Sequence, residues 1–287
     1  MIAERVIKLN GNKKIMDTLS YILIGILQGV LEWLPVSSKG VGALIMVKFY
    51  NKTLSEALVI ALWLHIGTLL AAMVYFKTEI LEILKNLNNY IKNPAEDKQA
   101  NTLTSFIIIT TLLTGLIGTP LLLFGLDKFN FAGNAAMLLI AFFLILTGIF
   151  QWTAKKKKNT DKELMLKDSI YLGIAQGFTA IPGLSRSGTT VSTLMFRGYS
   201  AREALRVSFL VSIPAVLGVE VLLGLLKTHT FDVLIIPGII ASFIFGLLTI
   251  KSLVKLAETI NFGYFCSGFG FIIILYVIAS SSYNIFG

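Results

Sequence analysis

Six apolar runs, at about 56 to 76, 103 to 125, 132 to 152, 203 to 226, 232 to 254 and 262 to 283, are each long enough to cross a hydrocarbon core roughly 30 Å thick. In lipid every backbone N–H and C=O needs a partner within the chain, so such segments are confined to helices. The fold class expected is an all-α integral membrane protein with six transmembrane helices. With 14% charged residues and a mean hydropathy of +0.78, a soluble domain is ruled out. Cys266 is the single cysteine and lies in an apolar run, so no internal disulfide forms. No cleavable leader is expected, because the first fourteen residues are polar and the apolar stretch that follows carries Gln28 and Glu32.

The chain resembles itself. Gly25-Ile26-Leu27-Gln28-Gly29 returns as Gly173-Ile174-Ala175-Gln176-Gly177. After a one-residue slip, Pro35-Val36-Ser37-Ser38-Lys39 aligns with Pro182-Gly183-Leu184-Ser185-Arg186. Each motif is followed by a short apolar segment and then a full span, which predicts repeats over 15–152 and 169–283 within one membrane domain over 1–287. The motif segments, roughly 15 to 49 and 169 to 198, are apolar but broken by proline, serines and charge. That pattern suits a re-entrant helical hairpin buried in protein, not an unbroken span.

Charge gives the orientation. Three spans separate the motifs, so the two hairpins enter from opposite faces and the repeats are inverted. On that scheme one face collects Lys77, Lys85, Lys92, Lys98, the Lys155-to-Lys158 cluster, Lys162, Lys167, Arg197, Arg202, Lys251 and Lys255. This richer face is expected to be cytoplasmic, with both termini outside and 85 to 101 a cytoplasmic loop. The net charge of +9 is thereby read as loop anchoring in a multi-pass protein of the cell membrane, with no nucleic-acid partner.

Chemistry is expected at the breaks. Gln28 and Glu32 share one helix face at i, i+4, and a carboxylate inside a membrane normally faces a cavity or a partner. Ser37 and Ser38 stand where the next half-helix begins, and a helix N-terminus offers free N–H groups and a dipole to an anion. The second break, Pro182-Gly183-Leu184-Ser185-Arg186-Ser187-Gly188-Thr189-Thr190, adds a guanidinium read as a bidentate clamp on phosphate oxygens. One half holds the carboxylate and the other the fixed cation, a division that suits a hydrolase better than a symmetric transporter or flippase, the alternative reading. His65 reads as a helix-packing histidine. Glu220 reads either as a functional partner or as a residue near the external end of its span.

Four segments together resemble a known family: Gln28-Gly-Val-Leu-Glu32-Trp-Leu-Pro-Val-Ser-Ser38, Leu64-His-Ile-Gly-Thr-Leu-Leu-Ala71, Pro182-Gly-Leu-Ser-Arg-Ser-Gly188 and Val207-Ser-Phe-Leu-Val-Ser-Ile-Pro214. They are similar to the BacA/UppP family of undecaprenyl-diphosphate phosphatases over nearly the whole chain. The resemblance implies hydrolysis of a polyprenyl diphosphate to the monophosphate, recycling a lipid carrier for cell-surface glycan synthesis, with a divalent cation, Mg or Ca, and bacitracin tolerance. It matches Gln28, Glu32, Ser37, Ser38, Ser185, Arg186 and Thr190 to the family's functional motifs; with the residue reading above, Glu32, Ser38 and Arg186 are expected to be catalytic, Gln28, Ser37, Lys39, Ser185, Ser187 and Thr190 to bind substrate, and Glu32 to hold a metal. Where many members continue Thr-Gly-His after the serine pair, this chain has Lys39-Gly40-Val41, so the histidine expected there is missing. Lys39, aligned with Arg186, is expected to supply a second phosphate-binding cation.

Overall fold

The computed structural model describes residues 18–92, 99–128, 133–155, 162–226 and 232–283. These are almost wholly helical: α1 (Thr18–Leu31), α2 (Ser38–Phe49), α3 (Leu54–Tyr75), α4 (Lys77–Lys92), α5 (Gln99–Lys128), α6 (Gly133–Lys155), α7 (Leu166–Phe178), α8 (Arg186–Phe196), α9 (Ala201–Leu226), α10 (Ile236–Thr259) and α11 (Gly263–Tyr283). Six stretches are long and apolar enough to cross a membrane: Leu54–Tyr75, Asn101–Phe124, Gly133–Ala154, Ala201–Leu222, Val233–Thr259 and Gly263–Ser280. They fall within a few residues of the runs read from the sequence.

The other two apolar pairs, α1–α2 and α7–α8, are built from helices too short to span. At 1.5 Å per residue the 12 residues of α2 reach about 18 Å and the 13 of α7 about 20 Å. Proline, lacking an N–H, breaks each pair near its middle. Small residues let these helices approach others backbone to backbone. Gly29 of α1 lies so close to α10 that a Cβ there would stand 2.7 Å from Ser242 O and 2.8 Å from Gly246 N. Gly173 and Gly177 of α7 meet α5 in the same way, at Leu113 and Ile117. The longest contacts otherwise run along α6–α11, α5–α7 and α3–α10.

One expectation is corrected. The stretch 85 to 101, read as a loop, is helical through Lys92, because Leu81, Leu84 and Ile91 fall on one face of α4 and polar residues on the other. That apolar face is exposed. Residues 156–161 of the basic connection and both chain ends lie outside the described residues.

A clasp closes the open end of the α7–α8 pair. Asp168, in the first turn of α7 and fully buried, accepts from Arg197 Nε at 2.6 Å, Tyr199 Oη at 2.8 Å and Lys162 Nζ at 3.1 Å. Burial alone pushes its carboxyl up, but these hydrogen bonds and the Lys162 charge outweigh it and hold the group below its ordinary range.

Candidate active site

The two breaks meet inside the molecule. After α1 the chain turns through Glu32 to Val36, and Ser37 takes up a left-handed backbone (φ 60°, ψ 70°) that is strained for a serine. Its hydroxyl caps α2 by accepting from Gly40 N at 3.3 Å. Ser185 caps α8 with the same hydrogen bond, accepting from Gly188 N at 3.1 Å, but from an extended backbone (φ −74°, ψ 120°). These caps register the two motifs differently from the alignment drawn through the prolines. Ser37 pairs with Ser185 and Gly40 with Gly188, so a single offset of 148 residues relates both motifs without a slip. Ser38 is therefore the counterpart of Arg186, and Lys39 that of Ser187.

Glu32 is the hub, with 5% of its surface exposed. Its Oε2 accepts from Ser38 Oγ at 2.7 Å and Gln28 Nε2 at 2.8 Å, and His65 Nε2 lies 3.2 Å away. Its Oε1 pairs with Arg186 Nη2, whose other arm, Nη1, is buried with no hydrogen-bond partner among the described residues. His65 Nδ1 sits 2.7 Å from Ala61 O, which can only accept, so Nδ1 carries a proton. Nε2 of His65 can then accept the second amide hydrogen of Gln28, at 3.2 Å. Gln28 thus bridges the carboxylate and the imidazole.

The first break is satisfied from three other elements, as an interrupted helix in a membrane requires. Gln151 Nε2 of α6 donates to Pro35 O at 2.6 Å, Cys266 Sγ of α11 donates to the same oxygen at 3.4 Å, and Ser187 Oγ donates to Leu34 O at 3.1 Å. Lys39 Nζ donates to Thr179 O of the second break at 3.3 Å.

Of the residues named from the sequence, Gln28, Glu32, Ser38 and Arg186 are brought into one cluster, and Lys39 lines a small cavity with Glu32, Ser38 and Arg186. Ser37 and Ser185 act as caps and Ser187 as a tie to the first break. Thr190 turns away from the cluster: its hydroxyl donates to Arg186 O at 2.8 Å and lies 2.5 Å from Ser208 Oγ of α9, so it anchors the helix that carries Arg186. His65 was read as packing and stands instead against the hub. Gln151 went unnoticed. The one sequence signal for His65 was its place in an intramembrane motif; Gln151 had none.

The donor set does not fit a resident divalent cation. Both oxygens of Glu32 are engaged, it is the only acid in the cluster among the described residues, and its neighbours Arg186 and Lys39 are cationic. Among the described residues no group of three or more His, Cys, Asp or Glu is placed to hold a metal.

A larger cavity of about 260 Å³ opens beside the cluster, with Lys39, His65 and Arg186 at its polar end and α5, α7 and α9 forming its walls.

A family model described as "Bacitracin resistance protein BacA" matches residues 21–272. The chain belongs to the BacA family. Similar proteins named undecaprenyl-diphosphatase include one from Methanococcoides burtonii, 44% identical over 88% of this chain and 96% of its own length. Another, from Methanothrix thermoacetophila, is 37% identical over 90% and 96%. A bacterial member from Halalkalibacterium halodurans, named undecaprenyl-diphosphatase 2, is 30% identical over 91% and 96%.

Proposed function

We propose that this BacA-family chain hydrolyses a polyprenyl diphosphate of the undecaprenyl type to the monophosphate and inorganic phosphate, regenerating a lipid carrier for cell-surface glycan synthesis in the cell membrane. The observation that carries the reading is the hydrogen bond from Ser38 Oγ to Glu32 Oε2, a nucleophile already aligned on a base, with the Arg186 guanidinium on the same carboxylate.

The diphosphate enters the polar end of the large cavity, where the unpartnered Nη1 of Arg186 and the ammonium of Lys39 bind its oxygens, and the prenyl tail lies along α5 and α9. Ser38 Oγ attacks the terminal phosphorus as its proton passes to Glu32. The bond to the bridging oxygen breaks, and the polyprenyl monophosphate leaves with that oxygen, its charge held by Arg186 and Lys39. His65 Nε2 is the next acceptor for the proton on Glu32, and Gln28 keeps the two aligned. Water then hydrolyses the phosphoserine, with Glu32 again as base. The divalent cation implied by the resemblance is proposed to travel on the diphosphate, since the protein groups alone do not suit it. Loss of the carrier diphosphate, which bacitracin captures, accounts for the tolerance in the family's name.

The matching caps, the single 148-residue offset and the paired approaches of α1 to α10 and α7 to α5 support reading the two short helix pairs as opposed re-entrant hairpins of an inverted repeat. Purified protein in detergent, given a C55 isoprenoid diphosphate, is expected to release inorganic phosphate. Movement of the lipid between leaflets of a vesicle without phosphate release would support the transporter instead.

A further inference from the structure

Helix α4 is built the wrong way round for a helix bathed in water. At about 100° per residue, Leu81, Leu84, Leu87 and Ile91 fall within an arc of about 120°, and they are 51%, 58%, 38% and 70% exposed. The side that holds α4 to the protein is polar. Asn86 Nδ2 donates to Asn101 Oδ1 of α5, and Tyr90 Oη accepts from Ser105 Oγ of the same helix at 3.1 Å. Glu79 and Glu82 also lie away from the apolar stripe, within electrostatic reach of Arg206 of α9. Water favours the reverse arrangement, with the leucines turned inward.

The place of α4 in the fold says what covers the stripe. It starts one residue after the span Leu54–Tyr75, and that residue, Phe76, is buried and stacked on Phe209 of α9. Asn101 and Ser105, which hold Asn86 and Tyr90, belong to the first turns of the next span, Asn101–Phe124. A helix of 16 residues, about 24 Å long, is thus tied at its start to the end of one span and in its second half to the start of another. That keeps it at the level where spans leave the hydrocarbon. Charge is sorted along the same helix: Lys77, Lys85 and Lys92 are exposed and follow one edge of the apolar stripe, within about 80° of one another.

We propose that α4 is an interfacial helix that seats its leucine stripe among the upper acyl chains and gathers anionic phospholipids through Lys77, Lys85 and Lys92. A row of lysines beside an apolar stripe matches the order of a lipid leaflet, phosphate above hydrocarbon. A second copy of the chain is a poorer occupant, because its own α4 brings a like-charged edge with it. The binding is independent of the chemistry at Glu32.

The full-length protein with Cys266→Ser carries a fluorophore on Leu84→Cys or, as the control away from the stripe, on Glu82→Cys. It is placed in lipid nanodiscs, where both faces meet the same lipid and buffer. Quenching is measured with iodide in the water, and with phosphatidylcholine or phosphatidylglycerol bearing a nitroxide near the top of one acyl chain. The Leu84 site is expected to be shielded from iodide relative to the Glu82 site and quenched by both lipids. The anionic lipid is expected to quench it about fivefold more efficiently, the selectivity that one lysine at a membrane surface supplies. Exchanging Lys77, Lys85 and Lys92 for glutamine is expected to erase that preference and leave the shielding. Iodide quenching at Leu84 equal to that at Glu82 overturns the proposal. So does shielding without lipid quenching, which marks a protein partner on this face, or equal quenching by the two lipids.

Discussion

Ser38 and Arg186 occupy the same position in two helices capped alike, and they converge on opposite oxygens of one carboxylate: Ser38 Oγ donates to Glu32 Oε2 at 2.7 Å while Arg186 Nη2 pairs with Oε1. One short helix begins with a hydroxyl where the other begins with a guanidinium.

In the proposed reaction Arg186 holds charge that persists through the transition state. Replacing it with alanine is expected to cost about 3 kcal/mol, or roughly a hundredfold in kcat/KM. Arg186→Lys restores only part of this, because a point charge cannot both pair with Glu32 and offer a second arm to phosphate. Steady-state kinetics of the two variants check it, and near-normal turnover by the alanine variant removes the clamp.

His65 touches the hub, so His65→Ala is expected to lower kcat by about ten- to a hundredfold, the range for losing a hydrogen bond to a charged group. His65→Gln keeps a hydrogen bond but carries no proton. Steady-state kinetics check it: a glutamine variant as impaired as the alanine variant identifies the imidazole as a proton acceptor, and near-normal turnover by His65→Ala leaves it a packing residue.

Asp168 gives a pH dependence of stability with a definite sign. Its carboxyl titrates below its unfolded value, so its contribution is complete above the ordinary carboxylate range near pH 4 and fades as pH falls through the folded value. Asp168→Asn is expected to destabilise the protein by about 2 kcal/mol at pH 7, the cost of leaving two partly exposed cations unpaired. Thermal melting of both proteins checks this: the gap between them narrows on acidification, and a constant gap contradicts it.

The hairpins are tested by accessibility. With Cys266→Ser as background, which keeps a donor to Pro35 O, single cysteines replace Lys52, Met165 and Arg202. Met165 and Arg202 flank the α7–α8 pair and are expected to label with an impermeant thiol reagent from the same face, Lys52 from the other. Labelling of Met165→Cys and Arg202→Cys from opposite faces makes α7–α8 a full crossing.

The spans were legible in the sequence because burial in hydrocarbon leaves a mark that needs no partner to be seen: twenty apolar residues in a row. Glu32 and Arg186 were legible for the converse reason, since charge is expensive there. What depended on packing was not. The alignment of the breaks was drawn through Pro35 and Pro182, the most visible residues, whereas the chain is registered by the caps Ser37 and Ser185 with their glycines three residues on. Thr190 carries a hydroxyl in the right motif, but helical phase turns it toward Ser208. The role of His65 depends on α3 lying against α1, and Gln151 matters only because α6 passes the carbonyl that Pro35 leaves open.

The central claim is that Glu32 activates Ser38 for attack on phosphorus, and phosphate release by purified Ser38→Ala and Glu32→Gln, with binding of the lipid measured alongside, tests it most directly. Each variant is expected to bind the polyprenyl diphosphate yet fall by about a thousandfold or more in turnover, within the range for loss of a positioned acid–base group. A folded Ser38→Ala enzyme that retains most of its turnover would contradict the claim and transfer the attack to water.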